Sequence, residues 1–210
     1  MRVAVINEVS ARSKNRDILS ALEYSGQEVF NVGMTDGEFQ TELTYIHTGF
    51  MAGVLLNLGA VDMVIGGCGT GQGFLNSAMQ YPNVFCGLIA EPIDAFLFSS
   101  INAGNCISLA LNKGYGWAGD LNLGYIFEKL FSDNVGKGYP PQRSASQKES
   151  RCILQDISRS THKSFEEILN TLDRKLIQTA FSHKPFYRLV ADQKQKSDSI
   201  KEILADIKIP

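Results

Sequence analysis

The run Gly66-Gly67-Cys68-Gly69-Thr70-Gly71-Gln72-Gly73 places one thiol and one hydroxyl among closely spaced glycines. An apolar strand signal, Val61–Gly66, leads into it, and a helix is expected to follow over Phe74–Gln80. Glycines let backbone amides converge into a concave nest, and a helix start adds its positive dipole end at the same place. Such a loop can hold an anion or a developing oxyanion without a cationic side chain. A cysteine thiol inside that field suits proton transfer beside the charge that is held. The competing reading is structural, with Cys68 a small core residue at a strand end and the glycines only making a turn.

Apolar runs alternate with amphipathic stretches, as a parallel sheet with crossover helices requires. Strands are expected near Arg2–Ile6, Glu28–Val32, Val61–Gly66, Val84–Ala90 and Cys106–Leu111, and helices over Ser13–Ser25, Thr44–Leu58, Phe74–Gln80, Ile93–Asn102 and Leu121–Phe131. In the first helix Ile18, Leu19 and Leu22 form a buried stripe, while Lys14, Arg16, Asp17 and Glu23 face water. Five such units give a three-layer αβα sandwich around a five-stranded, Rossmann-like parallel sheet. A ligand crevice then lies outside the carboxyl ends of the strands. The loops at that edge are Asn7–Arg12, Gly33–Glu42, Gly67–Gly73, Glu91–Asp94 and Asn112–Asp120.

The turn-rich segment Gly136-Lys137-Gly138-Tyr139-Pro140-Pro141 ends this alternation, and no glycine occurs after Gly138. The chain therefore divides into an αβα core, residues 1–143, and a helical C-terminal extension, residues 144–210, packed on the core or at a subunit interface. Helices are expected over Ser146–Ser158, Phe165–Thr179 and Ser197–Ile207, with a less regular stretch at Lys184–Val190. Ser164 and Glu167 have the spacing of a helix start.

With 210 residues, 44% hydrophobic and 20% charged, the chain has the composition of a globular protein with a substantial core. A formal net charge of −2 and the lack of a basic stretch argue against a nucleic-acid partner. No apolar run reaches membrane-spanning length, and the N-terminal apolar run is a strand, not a leader. Cys68, Cys86, Cys106 and Cys152 lie far apart without histidines at ligand spacing. They read as reduced thiols of a cytoplasmic protein, with no metal site. Cys86 and Cys106 are expected to be inert packing residues in core strands. His47 shares a helix with Tyr45 and faces either the site or solvent; Asp94 is expected to cap a helix; Trp117 walls the pocket or anchors a subunit contact.

Taken together, Gly67-Cys68-Gly69-Thr70-Gly71-Gln72-Gly73 and Asn102-Ala103-Gly104-Asn105 resemble the RpiB/LacA/LacB family of sugar-phosphate aldose–ketose isomerases, over Met1 to about Arg143. Ile6-Asn7-Glu8, Ser13-Lys14-Asn15, Gly114-Tyr115-Gly116-Trp117 and Gly138-Tyr139-Pro140 are similar to a branch with a helical C-terminal extension. The resemblance implies isomerisation through a cis-enediolate, with no cofactor and no metal. It implies Cys68 as the base, and Gly69, Thr70, Gly71 and Gly73 as the holders of developing charge. Asn7, Tyr45, Asn102 and Arg143 would then bind an anionic sugar, and the sites would lie between subunits of a homodimer or dimer of dimers.

Three departures bear on the substrate. Ile101 occupies the position of the family's ring-opening histidine, and isoleucine cannot transfer a proton. Asn7-Glu8 replaces an Asp-His pair; Glu8 either shuttles a proton between substrate oxygens or is a surface glutamate. The arginine cluster for a phosphate is thinned to Arg143, with Lys137 nearby and Arg151 further along. One arginine can hold a carboxylate bidentately as well as assist a phosphate. The substrate is therefore a sugar phosphate or an acidic, acyclic sugar such as a 4-deoxy-5-keto-hexuronate, with a non-catalytic sugar-binding relative as the third alternative. A nucleotide-binding domain is disfavoured, because the glycine loop follows the third strand and no Walker lysine follows it.

Overall fold

The computed structural model describes residues 1–37 and 41–207, so positions 38–40 of the expected Gly33–Glu42 loop and the last three residues of the extension lie outside it. In the first strand, β1 (Arg2–Asn7), alternate side chains enter two different cores. Val3 and Val5 join one cluster; Ala4 and Ile6 join the other. Both faces are buried because helices cover both, the arrangement a parallel sheet requires. Strands β2 (Glu28–Asn31), β3 (Met63–Cys68), β4 (Cys86–Ile89) and β5 (Cys106–Ala110) complete a sheet of order β2-β1-β3-β5-β4, every pair parallel.

Helices α1 (Asn15–Leu22), α4 (Pro92–Leu97) and α5 (Gly119–Leu130) cover one face through Ile18, Leu22, Ala95, Leu123, Ile126 and Phe127. Helices α2 (Tyr45–Asn57) and α3 (Gln72–Ala78) cover the other through Phe50, Met51, Val54, Leu55, Phe74 and Ala78. The three-layer sandwich is thus as expected. Among the described residues, no helix is long and apolar enough to cross a membrane.

Several elements differ from the sequence expectation. The helix expected over Ser13–Ser25 begins as a 3-10 segment, Val9–Lys14, and becomes α-helical at Asn15. The stretch Ile93–Asn102 starts at Pro92 and relaxes into a π-helical turn, Phe98–Asn102, before Ala103 reverses the chain at φ 45°. Asp94 caps α4 as expected, its Oδ2 accepting the amides of Ala90 and Glu91 at 3.0 and 3.1 Å.

The tail expected as one helix over Phe165–Thr179 is two, α7 (Phe165–Thr171) and α8 (Arg174–Phe181), after the longer α6 (Ser144–Thr161). Asp173 divides them, because its Oδ1 accepts the amides of Lys175 and Leu176 and starts a new helix. The stretch Lys184–Val190, expected to be irregular, is α9 (Lys184–Ala191). Pro185 sits in its first turn, where no amide donor is needed. Phe186, Leu189 and Val190 then make a buried helical stripe. The chain closes with α10 (Asp198–Asp206).

Leu169, Ile177, Phe181, Phe186, Leu189, Ile200 and Ile203 of the extension belong to the same core as Ala4, Ile6 and α2. The Phe181 ring lies 6.3 Å from Phe50 and 4.9 Å from Phe186. The extension therefore completes the hydrophobic core on one face of the sheet.

Candidate active site

The chain leaves β1 toward β2 on one side and returns to β3 on the other, so the crevice of this sheet opens at the carboxyl ends of β1 and β3. Register places Asn7 beside Gly67, which brings Glu8 and Cys68 to the same edge. Cys68 is the last residue of β3 and 5% exposed. Its Sγ lies 4.0 Å from the Thr70 hydroxyl, which in turn accepts the Gln72 amide at 3.4 Å. Gly71 turns the chain into α3 with φ 76°, a conformation that L side chains rarely adopt. At the start of α3 the Gln72 amide is taken by Thr70, and the amides that follow it in the first turn lack intrahelical acceptors, as at any helix start.

Tyr45, the first residue of α2, packs its ring on Gly73. A Cβ at Gly73 would stand 2.8 Å from the ring's Cγ, so only glycine admits the tyrosine here. Thr44 starts α2 with a capping box to His47, whose Nδ1 accepts the Thr44 amide at 3.1 Å. His47 is thus a helix cap, half-buried, and burial lowers its pKa from the usual histidine value.

Two expectations at this edge change with the geometry. Asn7 is only 1% exposed, and both its amide hydrogens are spent, on Ala11 O at 3.1 Å and Met34 O at 2.8 Å. Its Oδ1 accepts Asn15 Nδ2 at 2.7 Å, and Asn15 and Asn31 exchange a further pair of bonds at 2.9 Å. Asn7 therefore organises the strand ends, with no donor left for a ligand. Gly69 also has its amide engaged, donating to Ser10 Oγ at 3.1 Å. Of the loop residues expected to hold charge, this takes the Gly69 amide out of the set and leaves Thr70, Gly71 and Gly73 in it.

Glu8 is 5% exposed, a buried carboxylate instead of a surface one, and accepts a hydrogen bond from the Ser10 hydroxyl. Asn112, just past β5, donates from Nδ2 to Ser10 O at 2.8 Å and from its amide to Gly69 O at 3.0 Å. Lys113 donates its amide to the same carbonyl at 2.9 Å, which puts a cation on the loop beside the glycines. Sequence reasoning missed Ser10, Asn112 and Lys113. Their signal was position, since all three fall in loops already expected at the carboxyl edge.

Asn102 and Arg143 lie elsewhere. Asn102 ends the π-helical turn before β5, and Asn105 O accepts the amide of Val64, near the beginning of β3. That is the amino edge of the sheet. Cys68 is four residues further along β3, a span of about 13 Å at roughly 3.3 Å per residue. Residues 136–138 bond to Ser99 and Ser100, which brings the Arg143 segment to this same edge. Arg151 is structural: its guanidinium donates to Ile101 O at 2.7 Å and Gly136 O at 3.0 Å. Asn102 and Arg143 are exposed. Asn105 binds backbone at Phe85 and Asn83. One copy of the chain thus carries two half-sets of candidate residues, on opposite edges of the sheet.

His183, from the extension, is buried at 4% exposure, with its ring bonded to the backbone at Val32 and Gly33 and Nε2 unpartnered. Burial lowers its pKa, and the bonds to the backbone oppose that shift. It ties the extension to the segment that holds Asn7.

The geometry at the carboxyl edge combines a thiol, an amide nest at a helix start and a buried carboxylate, the parts needed to move a proton next to a developing oxyanion. The profile of the ribose/galactose isomerase family matches residues 3–119. A Vibrio parahaemolyticus structure, described as the ribose-5-phosphate isomerase LacAB_rpiB, is 44% identical over 98% of both chains, with a TM-score of 0.92. A 4-deoxy-L-threo-5-hexosulose-uronate ketol-isomerase, solved with a tartrate, is 37% identical over 98% of both chains, with a TM-score of 0.91. A Thermotoga maritima ribose 5-phosphate isomerase, 22% identical, shares the fold over 70% of this chain and 97% of its own, with a TM-score of 0.56. Among curated proteins, none matches the chain. The matched profile and the two full-length likenesses, on a crevice equipped for proton transfer, show that the chain belongs to the ribose/galactose isomerase family and is a sugar isomerase of the aldose–ketose type.

Proposed function

We propose that this chain interconverts the aldose and ketose forms of an anionic sugar through a cis-enediolate, with Cys68 as the general base. The observation that carries this reading is the placement of the Cys68 thiol at the end of β3, beside Thr70 and the start of α3, with Glu8 buried at the adjacent strand end. Cys68 takes the proton from the carbon next to the carbonyl. The free amides of the loop and the Thr70 hydroxyl stabilise the oxyanion that forms. Removing one such donor typically costs about a hundred- to a thousand-fold in rate. Glu8 accepts and returns the proton that moves between the two oxygens. No step asks for an ion or a cofactor.

An acidic, open-chain sugar of the 4-deoxy-5-keto-hexuronate type fits this chain best. Ile101 stands where the family's ring-opening histidine would be, and Arg151 is spent on backbone carbonyls, which leaves Arg143 as the arginine free to grip a carboxylate. The full-length likeness to the uronate ketol-isomerase supports this substrate class. A sugar phosphate is the second reading, supported by the description of the Vibrio structure.

The separation of the half-sets supports a site shared between two copies, Cys68 from one and Asn102 with Arg143 from the other. We read the enzyme as a homodimer or dimer of dimers, in a reducing cytoplasm that suits its four free cysteines.

The test is exchange of the substrate's carbon-bound proton with deuterated solvent, followed by NMR, for pentose phosphates, hexose phosphates and a 4-deoxy-5-keto-hexuronate. Exchange with one class, lost in a folded Cys68→Ala variant by several orders of magnitude, is the expected result. A Cys68→Ala enzyme that exchanges at the wild-type rate removes Cys68 as the base.

A further inference from the structure

Glu8 and Ser10 form a buried-to-exposed pair. The carboxylate is 5% exposed, whereas Ser10 is exposed and its hydroxyl is bonded to Glu8. The same Ser10 oxygen accepts the amide of Gly69, the residue after the thiol, at 3.1 Å. Its backbone carbonyl is pinned by Asn112 Nδ2 at 2.8 Å, and Asn112 is itself held to Gly69 O at 3.0 Å. Ser10 is thereby fixed between three strand ends, an exposed residue whose hydroxyl lies against the residue after Cys68 and bonds the buried carboxylate. A carboxylate that accepts a hydrogen bond from an exposed hydroxyl can exchange protons with a substrate through that hydroxyl.

We propose that Ser10 is that group, an acid–base relay that carries protons between the substrate oxygens and Glu8. The inference rests on the cysteine-base reading above and adds to it the route of the second proton. Once Cys68 has taken the carbon-bound proton, the hydroxyl of the resulting enediolate gives its proton to Ser10 Oγ, and the serine's own proton passes to Glu8. The pair then runs in reverse onto the former carbonyl oxygen: Glu8 returns its proton to Ser10, and Ser10 protonates that oxygen. Cys68 delivers its proton to the adjacent carbon. No proton or electron is gained or lost overall. A serine hydroxyl suits this part because it donates and accepts at one atom, and the Gly69 amide leaves it a lone pair for the incoming proton.

Exchange of the carbon-bound proton needs only the base and the oxyanion site, whereas conversion also needs the proton to change oxygens. The two readouts therefore separate the relay from the base. Wild type, Ser10→Ala, Ser10→Thr and Cys68→Ala are compared in deuterated solvent with whichever substrate of the panel the wild type converts. Ser10→Ala is expected to lose about a hundred-fold or more in conversion, the usual scale of acid–base assistance. Its Cys68-dependent exchange should stay near the wild-type rate, and Ser10→Thr should restore conversion. Glu8→Gln keeps an acceptor for the serine but cannot take its proton, and should show the same split, which provides a second test should Ser10→Ala fold poorly. Equal losses in exchange and conversion would overturn the relay and leave Ser10 a loop-shaping residue. Unchanged conversion would overturn it as well. Absence of any Cys68-dependent exchange in the wild type would instead bring down the base reading, and the relay with it.

Discussion

Replacing Asn7 with alanine separates a structural asparagine from a substrate ligand. The side chain makes three hydrogen bonds, giving one to Ala11 O, giving one to Met34 O and accepting one from Asn15. Alanine keeps none of them, and at 1% exposure water does not reach the site in the native fold. A buried polar group left unsatisfied costs about 1–3 kcal/mol, so two orphaned carbonyls amount to about 2–5 kcal/mol with some relaxation. For a chain of this size each kcal/mol moves Tm by roughly 2–4 °C, which gives a fall of about 4–20 °C. The assay is urea and thermal unfolding of wild type and Asn7→Ala, paired with KM measured well below the lowered Tm. The structure requires a large stability loss with KM near wild type. A variant destabilised by less than about 0.5 kcal/mol, the range of neutral surface changes, but raised several-fold in KM would refute the structural reading and return Asn7 to the substrate.

Mixing inactive Cys68→Ala with inactive Arg143→Ala, under conditions that let subunits exchange, should restore about a quarter of wild-type activity if each dimer site takes one residue from each copy; no recovery between freely exchanging subunits would place both residues in one copy's site. Burial lowers the pKa of both His183 and His47, so the fold disfavours their charged form and, as pH falls, they charge first in the unfolded chain. Their contribution to stability is complete above about pH 6.5 and is lost as pH falls toward the lowered folded values. Urea midpoints from pH 8 to pH 5 should therefore decline below that point, less steeply in His183→Asn, and a flat wild-type profile contradicts the assignment. Gly73→Ala puts a Cβ 2.8 Å from Tyr45 Cγ and must swing that ring away. Because Tyr45 is 44% exposed, the stability cost should stay within about 1–3 kcal/mol while kcat/KM falls; unchanged kcat/KM would remove Tyr45 from the site.

Periodicity carried the architecture. The alternation of apolar runs with amphipathic stretches and the placement of the glycine loop after the third strand are both local in sequence. Local patterns are what strand and helix periods express. The deviations came from side chains whose partners are distant or that reverse a local prior. Asp173 split one expected helix by capping its second half, and α9 formed where a less regular stretch was expected. The buried stripe of α9 earned its regularity from packing against a core formed largely by residues more than a hundred positions earlier.

For the site, composition and spacing marked Cys68, Thr70 and the glycines, because an amide nest at a strand-to-helix turn is written in consecutive residues. Tertiary structure alone decided which of the other polar residues are free. Asn7 and Asn15 are consumed by one another and by carbonyls, Arg151 by Ile101 and Gly136, and the Gly69 amide by Ser10. Sequence order says nothing of such bonds, since each joins elements that meet only when the sheet assembles. The same holds for the two edges: Asn102 and Cys68 are both polar positions beside a strand, and only the direction of β5 sets them at opposite ends of the sheet.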